Sequence, residues 1–548
     1  MNLTVIFSIL LVSTFLLSSS LGITFAQSSN DNSNRSPNIV FILVDNLPQS
    51  ALSLYGNQDI VTPNIDLLAK QGITFSSAYS TNGVCSPSRA SIFTGLMPSQ
   101  HGVHMAFVDN VPQDFGAIEE FLTFPQLLKD ANYSTALIGK WHLGPINSIS
   151  TAGFDYWISK ESGLTSSFYN TSVVDNGKSY QVYEPISDYW TNKAIEYIDD
   201  HSESVNPFFL TLSLSGPYWG PLPNLGPDPK NPFYEYYSNL PEFSSFPRTA
   251  VNDNILDQII GNIPTDMSDN PIPVFQNRSL DEVYREVLVT VIKLQNDRES
   301  MANMAAQVAL MDSEVGKVMN AIKDNGIENN TLLIFASDNS MYMGEHGLNS
   351  HTVFTNPSSL YEPGMKIPFI ISHPGIIPTN KTSELLVSEI DFAPTILEYA
   401  GIENNTLPNN SGKSFMNLLK GGELSDWKKE VFYEQEESRG ISTEDYKYIK
   451  RINGTGYSHY INEFYDLKQD PHETTNQYNN SKYSDIIKEL DQKLTKFFDE
   501  NSDPKYDEWN GGAPKSLSMR ENIWKNIWGD SWHPIYETEP ILEVGSIN

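Results

Sequence analysis

The chain of 548 residues sets 35 Lys and Arg against 67 Asp and Glu, a formal net charge of −32, with 39% hydrophobic and 11% aromatic positions and a single cysteine. The apolar content is enough for a large folded core, and the charge excludes nucleic acid as a partner over most of the surface. One thiol excludes a disulfide framework, so Cys85 is either a small buried hydrophobe or a group kept for its reactivity.

In chain order, residues 1–26 read as a signal peptide. An apolar run from Val5 to Leu17 is followed by a Ser-rich stretch, and the small residues Thr24 and Ala26 suit cleavage before Gln27. The run is nearly long enough to span a bilayer, which leaves an uncleaved anchor open. Both readings place the protein outside the cytoplasm, as a secreted, cell-surface or periplasmic-like protein. A polar linker over 27–36 follows, and no later apolar stretch reaches membrane-spanning length, so no transmembrane helix is expected in the mature chain.

Asn38 to Val44 is a continuous apolar, β-rich run, the pattern of a strand buried on both faces of a parallel sheet. Similar runs recur at Ser134 to Ile138, Phe208 to Leu214 and Thr331 to Ser337, with helical patterns between them. The alternation predicts an α/β fold over 37–426, a large mostly parallel sheet flanked by helices. Each run stops at polar residues: Asp45-Asn46, Gly139-Lys140-Trp141-His142, Pro217-Tyr218 and Asp338-Asn339. In open α/β sheets ligands sit beyond the carboxyl ends of the strands, so these four groups should converge on one edge.

Cys85-Ser86-Pro87-Ser88-Arg89 reads as a helix entry, with Ser86 as N-cap, Pro87 at the first helical position and Arg89 one turn in. From Tyr218 to Ser279 a Pro- and aromatic-rich stretch predicts an excursion over the site, and Leu280 to Lys323 is helical in pattern. Short strands at Val431 to Tyr433, Tyr446 to Ile452 and Glu463 to Leu467, then a terminal helix, predict a small antiparallel α+β subdomain over 427–500. In the tail, 501–548, Ile523, Trp524, Ile527 and Trp528 share a helical face that should pack on the body.

The run Cys85-x-Pro87-x-Arg89 with Thr94-Gly95 resembles the signature of the formylglycine-dependent sulfatases, of the alkaline phosphatase-like superfamily. Companions in the same order extend that resemblance over nearly the whole mature chain: Pro37 to Asn46, Pro98 to Gly102, Asn132 to Gly144, Gly153 to Trp157, Ser337-Asp338-Asn339, Gly344 to Gly347, Tyr361-Glu362, Asp391 to Thr395 and Phe464 to Glu473. The resemblance implies that Cys85 is oxidised to formylglycine (3-oxoalanine) by a formylglycine-generating enzyme during maturation, and that the hydrated aldehyde is the nucleophile. It further implies a metal site from Asp45, Asn46, Asp338, Asn339 and the oxygen at position 85. An all-oxygen cage suits a hard cation such as Ca²⁺, with Mg²⁺ possible, better than Zn²⁺. Arg89 is expected to hold the hydrated aldehyde, Lys140 the sulfate, and His142 to help regenerate the aldehyde.

Three positions depart from the family pattern. Asn46 replaces an aspartate. Tyr218 stands where the family carries the histidine that protonates the leaving alcohol, and a phenol of ordinary pKa about 10 is a poor acid at neutral pH. Pro357 stands where a sulfate-binding lysine is usual, so His346 or His351 is a candidate substitute, although a solvated loop is the plainer expectation for His351. Trp219 and neighbouring aromatics could stack on a sugar or aryl ring. The expected function is an exported sulfuric ester hydrolase acting on an aryl or carbohydrate sulfate. A phosphate or phosphonate ester hydrolase with the same cage, and a silent sulfatase-like surface binding protein, are the alternatives. The acidic surface disfavours long polyanionic substrates and favours a small or terminal sulfate ester.

Overall fold

The computed structural model describes residues 36–107, 115–160, 168–218, 231–246, 298–355, 357–402, 407–452 and 460–535. The expected signal segment 1–26 and nearly all of the linker lie outside them, as do Trp219 and most of the stretch up to Ser279. No helix among the described residues is long and apolar enough to cross a membrane.

Six apolar residues in a row after Asn38 leave the Asn38–Val44 strand no face to offer water, and all seven residues are buried. It lies between Thr331–Ser337 and Phe208–Ser213, parallel to both, and Phe208–Ser213 pairs in parallel with Ser134–Gly139. These four strands are the centre of a ten-stranded sheet. Tyr156–Lys160 continues it in parallel, and Thr171–Asp175 and Lys178–Val182 close that side antiparallel. On the other side Phe369–Ser372 runs antiparallel to Thr331–Ser337, followed by Ile73–Phe75 and Lys381–Ser383.

Alternate residues of the central strand feed two separate cores. Ile39, Phe41 and Leu43 pack with Ala90, Ile92 and Phe93 of the Cys85–Thr94 helix. Val40, Ile42 and Val44 pack with Met304, Ala305 and Val308 of the long Arg298–Asp324 helix. Burial on both faces is why these strands read as unbroken apolar runs.

The register aligns the strand ends. Val44 is opposite Ser337, while Leu43 and Gly139 are both opposite Ser213, so Asp45, Lys140 and Asp338 emerge side by side. Gly139 has φ +117°, and a Cβ there would sit 1.9 Å from the Ser213 carbonyl oxygen. Only glycine lets the two strands close up immediately before Lys140.

A four-stranded antiparallel sheet of Glu430–Gln435, Ser438–Thr443, Tyr446–Arg451 and Glu463–Asp466 follows. Its Ile441, Tyr448 and Phe464 are covered by Ile487, Leu490, Leu494 and Phe498 of the Ser484–Asn501 helix. The Ser438–Thr443 strand was not expected: its sequence is mostly polar with a glycine, but its one charge, Arg439, is buried against Glu434 and Asp507. In the tail, Glu521–Trp528 is helical and buries Ile523 and Trp524, with Ile527 packed beside them. Trp528 is 40% exposed and bonds the Glu508 carbonyl through its ring N–H.

Candidate active site

The Cys85–Thr94 helix is wholly buried although half its residues are polar. A buried polar group must find a partner, and the hydroxyls of this helix do. The Ser88 hydroxyl meets Glu389 Oε1 at 2.6 Å and the Asp338 carbonyl, Ser91 meets His101 Nε2 at 3.1 Å, and Thr94 bonds back to the Ala90 carbonyl. The helix begins two residues earlier than expected. Val84 is the N-cap and Cys85 the first helical residue; Ser86 Oγ does not cap but accepts the Phe107 N–H at 3.1 Å.

That helix entry faces the ends of the central strands. One oxygen each from Asp45 and Asp338 and the Cys85 sulfur lie within 4.8 Å of one another. Asn46, at φ 60°, turns back so that its Oδ1 becomes a hub. It accepts from Asn339 Nδ2 at 2.9 Å and from His351 Nε2 at 2.7 Å, and Cys85 Sγ is 3.7 Å away. Asn339 Oδ1 is buried without a hydrogen-bond partner among the described residues. Two carboxylates and two amide oxygens, that of Asn339 orphaned, form a hard-oxygen set, which fits a cation such as Ca²⁺.

Two buried cations balance the carboxylates. Arg89 donates from Nε to Asp338 Oδ2 at 2.7 Å and from Nη1 to the Lys140 carbonyl and Ser213 Oγ, both at 2.8 Å; its Nη2 lies 3.9 Å from Asp45. Lys140 Nζ is 2.6 Å from Asp45 Oδ1 and 3.3 Å from the Tyr218 hydroxyl. Burial alone would raise Asp45, but Lys140 and Arg89 hold it well below the usual carboxylate range. Burial, and then the charge of Asp45, push Asp338 up to about 7. The same two causes push the Cys85 thiol well up, so an unmodified Cys85 is protonated and a weak nucleophile here.

His142 sits at φ 60°, an uncommon conformation for histidine and one that concentrates at functional sites. Its Nε2 is 2.7 Å from the Phe107 carbonyl. A carbonyl only accepts, so Nε2 carries the proton and Nδ1 keeps its lone pair, buried and without a hydrogen-bond partner among the described residues. Burial and then Lys140 keep the ring neutral. Tyr218 donates its hydroxyl to Asp45 Oδ2, and its backbone is gripped from below: its N–H donates to Gln307 Oε1 at 2.9 Å and its carbonyl accepts from Gln307 Nε2 at 3.1 Å.

The structure thus brings together Asp45, Asn46, Cys85, Arg89, Lys140, His142, Tyr218, Asp338, Asn339 and His351. His351 is drawn in rather than solvated. His346 does not join them: it stacks on Tyr361 with ring centroids 4.0 Å apart, and the charges around it are those of Lys447, Glu463 and Asp470. Pro357 lies in the loop after His351 and offers no cation. Sequence reasoning missed Gln307, the polar exception on the buried face of the Arg298–Asp324 helix between Met304 and Met311. It also missed Phe107, which acts through its backbone carbonyl and so leaves no side-chain signal.

Residues 37–402 match the family model described as Sulfatase, and residues 344–500 match one described as N-sulphoglucosamine sulphohydrolase, C-terminal. An N-acetylglucosamine-6-O-sulfatase of Bacteroides thetaiotaomicron is 29% identical, over 84% of this chain and 85% of that protein. An N-acetylglucosamine-6-sulfatase of Capra hircus is 30% identical, over 75% of this chain and 68% of that one. A solved protein in complex with its substrate D-glucosamine-2-N,6-O-disulfate is similar with a TM-score of 0.65 and 26% identity, covering 85% of this chain and 98% of that chain. With this match and this arrangement of strand-end groups around Cys85, the chain belongs to the sulfatase family of sulfuric ester hydrolases, on an alkaline phosphatase-like fold.

Proposed function

We propose that the protein is an exported carbohydrate sulfatase that removes a sulfate ester from an amino sugar of the 6-O-sulfated N-acetylglucosamine type. The observation that carries the chemistry is the convergence of Asp45, Cys85 and Asp338 within 4.8 Å beneath the buried cations Arg89 and Lys140. The substrate class rests on the relatives at 29–30% identity. Asp45, Asn46, Asp338 and Asn339 would hold a Ca²⁺-type ion, with position 85 carrying formylglycine. When present, the ion supplies Lewis-acid charge for a sulfate oxygen and the formylglycine supplies a hydrated-aldehyde nucleophile.

The chain's own groups then have distinct tasks. Arg89 is locked by three acceptors and presents a fixed positive charge beside position 85. Lys140 offers donors to the sulfate oxygens, and His351, whose one N–H goes to Asn46 Oδ1, holds that oxygen in the cage where the usual lysine is missing. His142 Nδ1, with its lone pair free, would accept a proton from the group at position 85 and so help regenerate the aldehyde. Tyr218 is the proton donor nearest the metal-site carboxylates. Burial and then Asp45 push its hydroxyl well above its ordinary pKa, so it can yield its proton only as negative charge develops on the leaving oxygen.

The test is direct. After co-expression with a formylglycine-generating enzyme, the peptide containing Cys85 should have exchanged its thiol for an aldehyde in mass spectrometry, and the enzyme should hydrolyse 6-O-sulfated N-acetylglucosamine faster than its phosphate analogue. An unmodified Cys85 or a preference for phosphate overturns the proposal. Tyr218→Phe should slow sugar sulfates more than p-nitrophenyl sulfate, whose leaving group needs little protonation. N-terminal sequencing of the exported protein should begin at Gln27.

A further inference from the structure

The two matched family models end at residues 402 and 500, yet chain beyond 500 is bonded into both loops that reach the histidines of the site. The first loop leaves the short Pro98–His101 helix and runs to Phe107. Asp503 N donates to the Ser99 carbonyl at 3.0 Å and Lys515 N to the Gly102 carbonyl at 2.6 Å. Ser516 Oγ accepts the N–H groups of His104 and Met105 at 3.2 and 2.9 Å. The Tyr506 ring closes on Gly102, where a Cβ would lie 2.6 Å from it. This loop ends at Phe107, whose carbonyl holds His142 and whose N–H bonds Ser86, the neighbour of Cys85.

The second loop is residues 352–358. Arg520, 2% exposed, donates from Nη2 to the Thr355 carbonyl at 2.7 Å, to Ser358 Oγ at 3.2 Å and, at 3.4 Å, to the Val353 carbonyl. Its Nε pairs with Glu437 Oε2 at 2.8 Å, and Glu437 Oε1 accepts the Ser358 N–H at 2.5 Å. The loop begins at Thr352, packed so tightly on Gly83 that a Cβ on the glycine would be 2.1 Å from Thr352 Oγ1. The residue before Thr352 is His351.

We infer that residues 503–520 form a strap that completes the active site, with Ser516 and Arg520 as positioning residues for His142 and His351 respectively. A planar guanidinium reaches several acceptors of one loop and a carboxylate at once, which the point charge of a lysine cannot do. Buried loop carbonyls and a buried glutamate have no reason to keep their geometry once that donor is gone. The inference rests on the roles given above to the two histidines.

The full-length formylglycine enzyme, assayed per folded molecule alongside its unfolding midpoint, separates a positioning role from mere bracing. Arg520→Met should lower kcat/KM on the sugar sulfate about 10- to 100-fold, the penalty for displacing a reacting-site group by about an ångström. In a His351→Ala background the same change should cost little further, and Arg520→Lys should restore part of the loss. Ser516→Ala should lower kcat severalfold with KM unchanged, and Ser516→Thr, which keeps the hydroxyl, should recover it. Wild-type kcat/KM in both Arg520→Met and Ser516→Ala, with only the midpoint lowered, overturns the strap, as do Arg520→Met and His351→Ala losses that simply multiply. Wild-type kinetics in His351→Ala overturns the role of His351 itself and with it the Arg520 arm, and the strap then stands or falls on the Ser516 pair.

Discussion

Gln307→Met tests whether the loop bearing Tyr218 is placed by a single side chain. Methionine fills nearly the same volume and offers neither hydrogen bond, so the 2.9 Å and 3.1 Å contacts to the Tyr218 N–H and carbonyl are both lost. Tyr218 is 9% exposed, and a buried backbone group left unpaired costs about 1–3 kcal/mol, so two set an upper range of about 2–6 kcal/mol. The 214–218 segment can shift to recover water for one of them, which brings the expected loss to about 2–4 kcal/mol, readable by denaturant unfolding. That shift carries the Tyr218 hydroxyl off Asp45 and Lys140. Turnover of a sugar sulfate, whose leaving group needs a proton, should then fall at least about tenfold relative to p-nitrophenyl sulfate. Equal losses on the two substrates, or none on either, would refute the reasoning.

Asn46→Asp restores a negative charge to the cage and should tighten Ca²⁺ binding about tenfold or more by titration calorimetry on metal-stripped protein, since charge count tunes such sites; an unchanged Kd would show that Asn46 Oδ1 is no ligand. Because Asp338 is pushed up to about 7 before a cation binds, it holds a proton below that pH which the ion must displace. Affinity should therefore be flat above pH 7 and fall about tenfold per unit below it; an affinity independent of pH between 5 and 8 contradicts this. Gly139→Ala forces a Cβ to within 1.9 Å of the Ser213 oxygen at φ +117° and should cost about 3 kcal/mol or more, or leave no soluble protein, whereas a stable active variant would mean the strand ends are looser than described.

The central strands were legible because burial on both faces leaves no charged residue inside them, so their ends coincide with the first charged residues, Asp45, Lys140 and Asp338. The carboxylates and Lys140 were readable for the same reason, sitting where apolar runs break, whereas Arg89 was readable from its place one turn into the helix entered at Cys85. His351 was misjudged because a polar loop with no periodicity reads as solvent-facing, and nothing local to it reports that Arg520 and Glu437 press the loop inward. His346 was misjudged in the opposite sense, since proximity to the Asp338 strand in sequence did not translate into proximity in space. Ser438–Thr443 shows a third failure. Its one charge, Arg439, is shared between Glu434 across the hairpin and Asp507, 68 positions on, and no short window contains the second partner.

The strap also imposes an order on synthesis. The bond from His104 to Ser516 joins residues 412 positions apart, so at about 5–20 residues per second the segment carrying Cys85 is made on the order of twenty to eighty seconds before the tail that seals it. In the finished fold Cys85 is 5% exposed, within a helix that is buried along its whole length. The conversion proposed for Cys85 would therefore have to take place during that interval, and protein that closes first would keep its thiol.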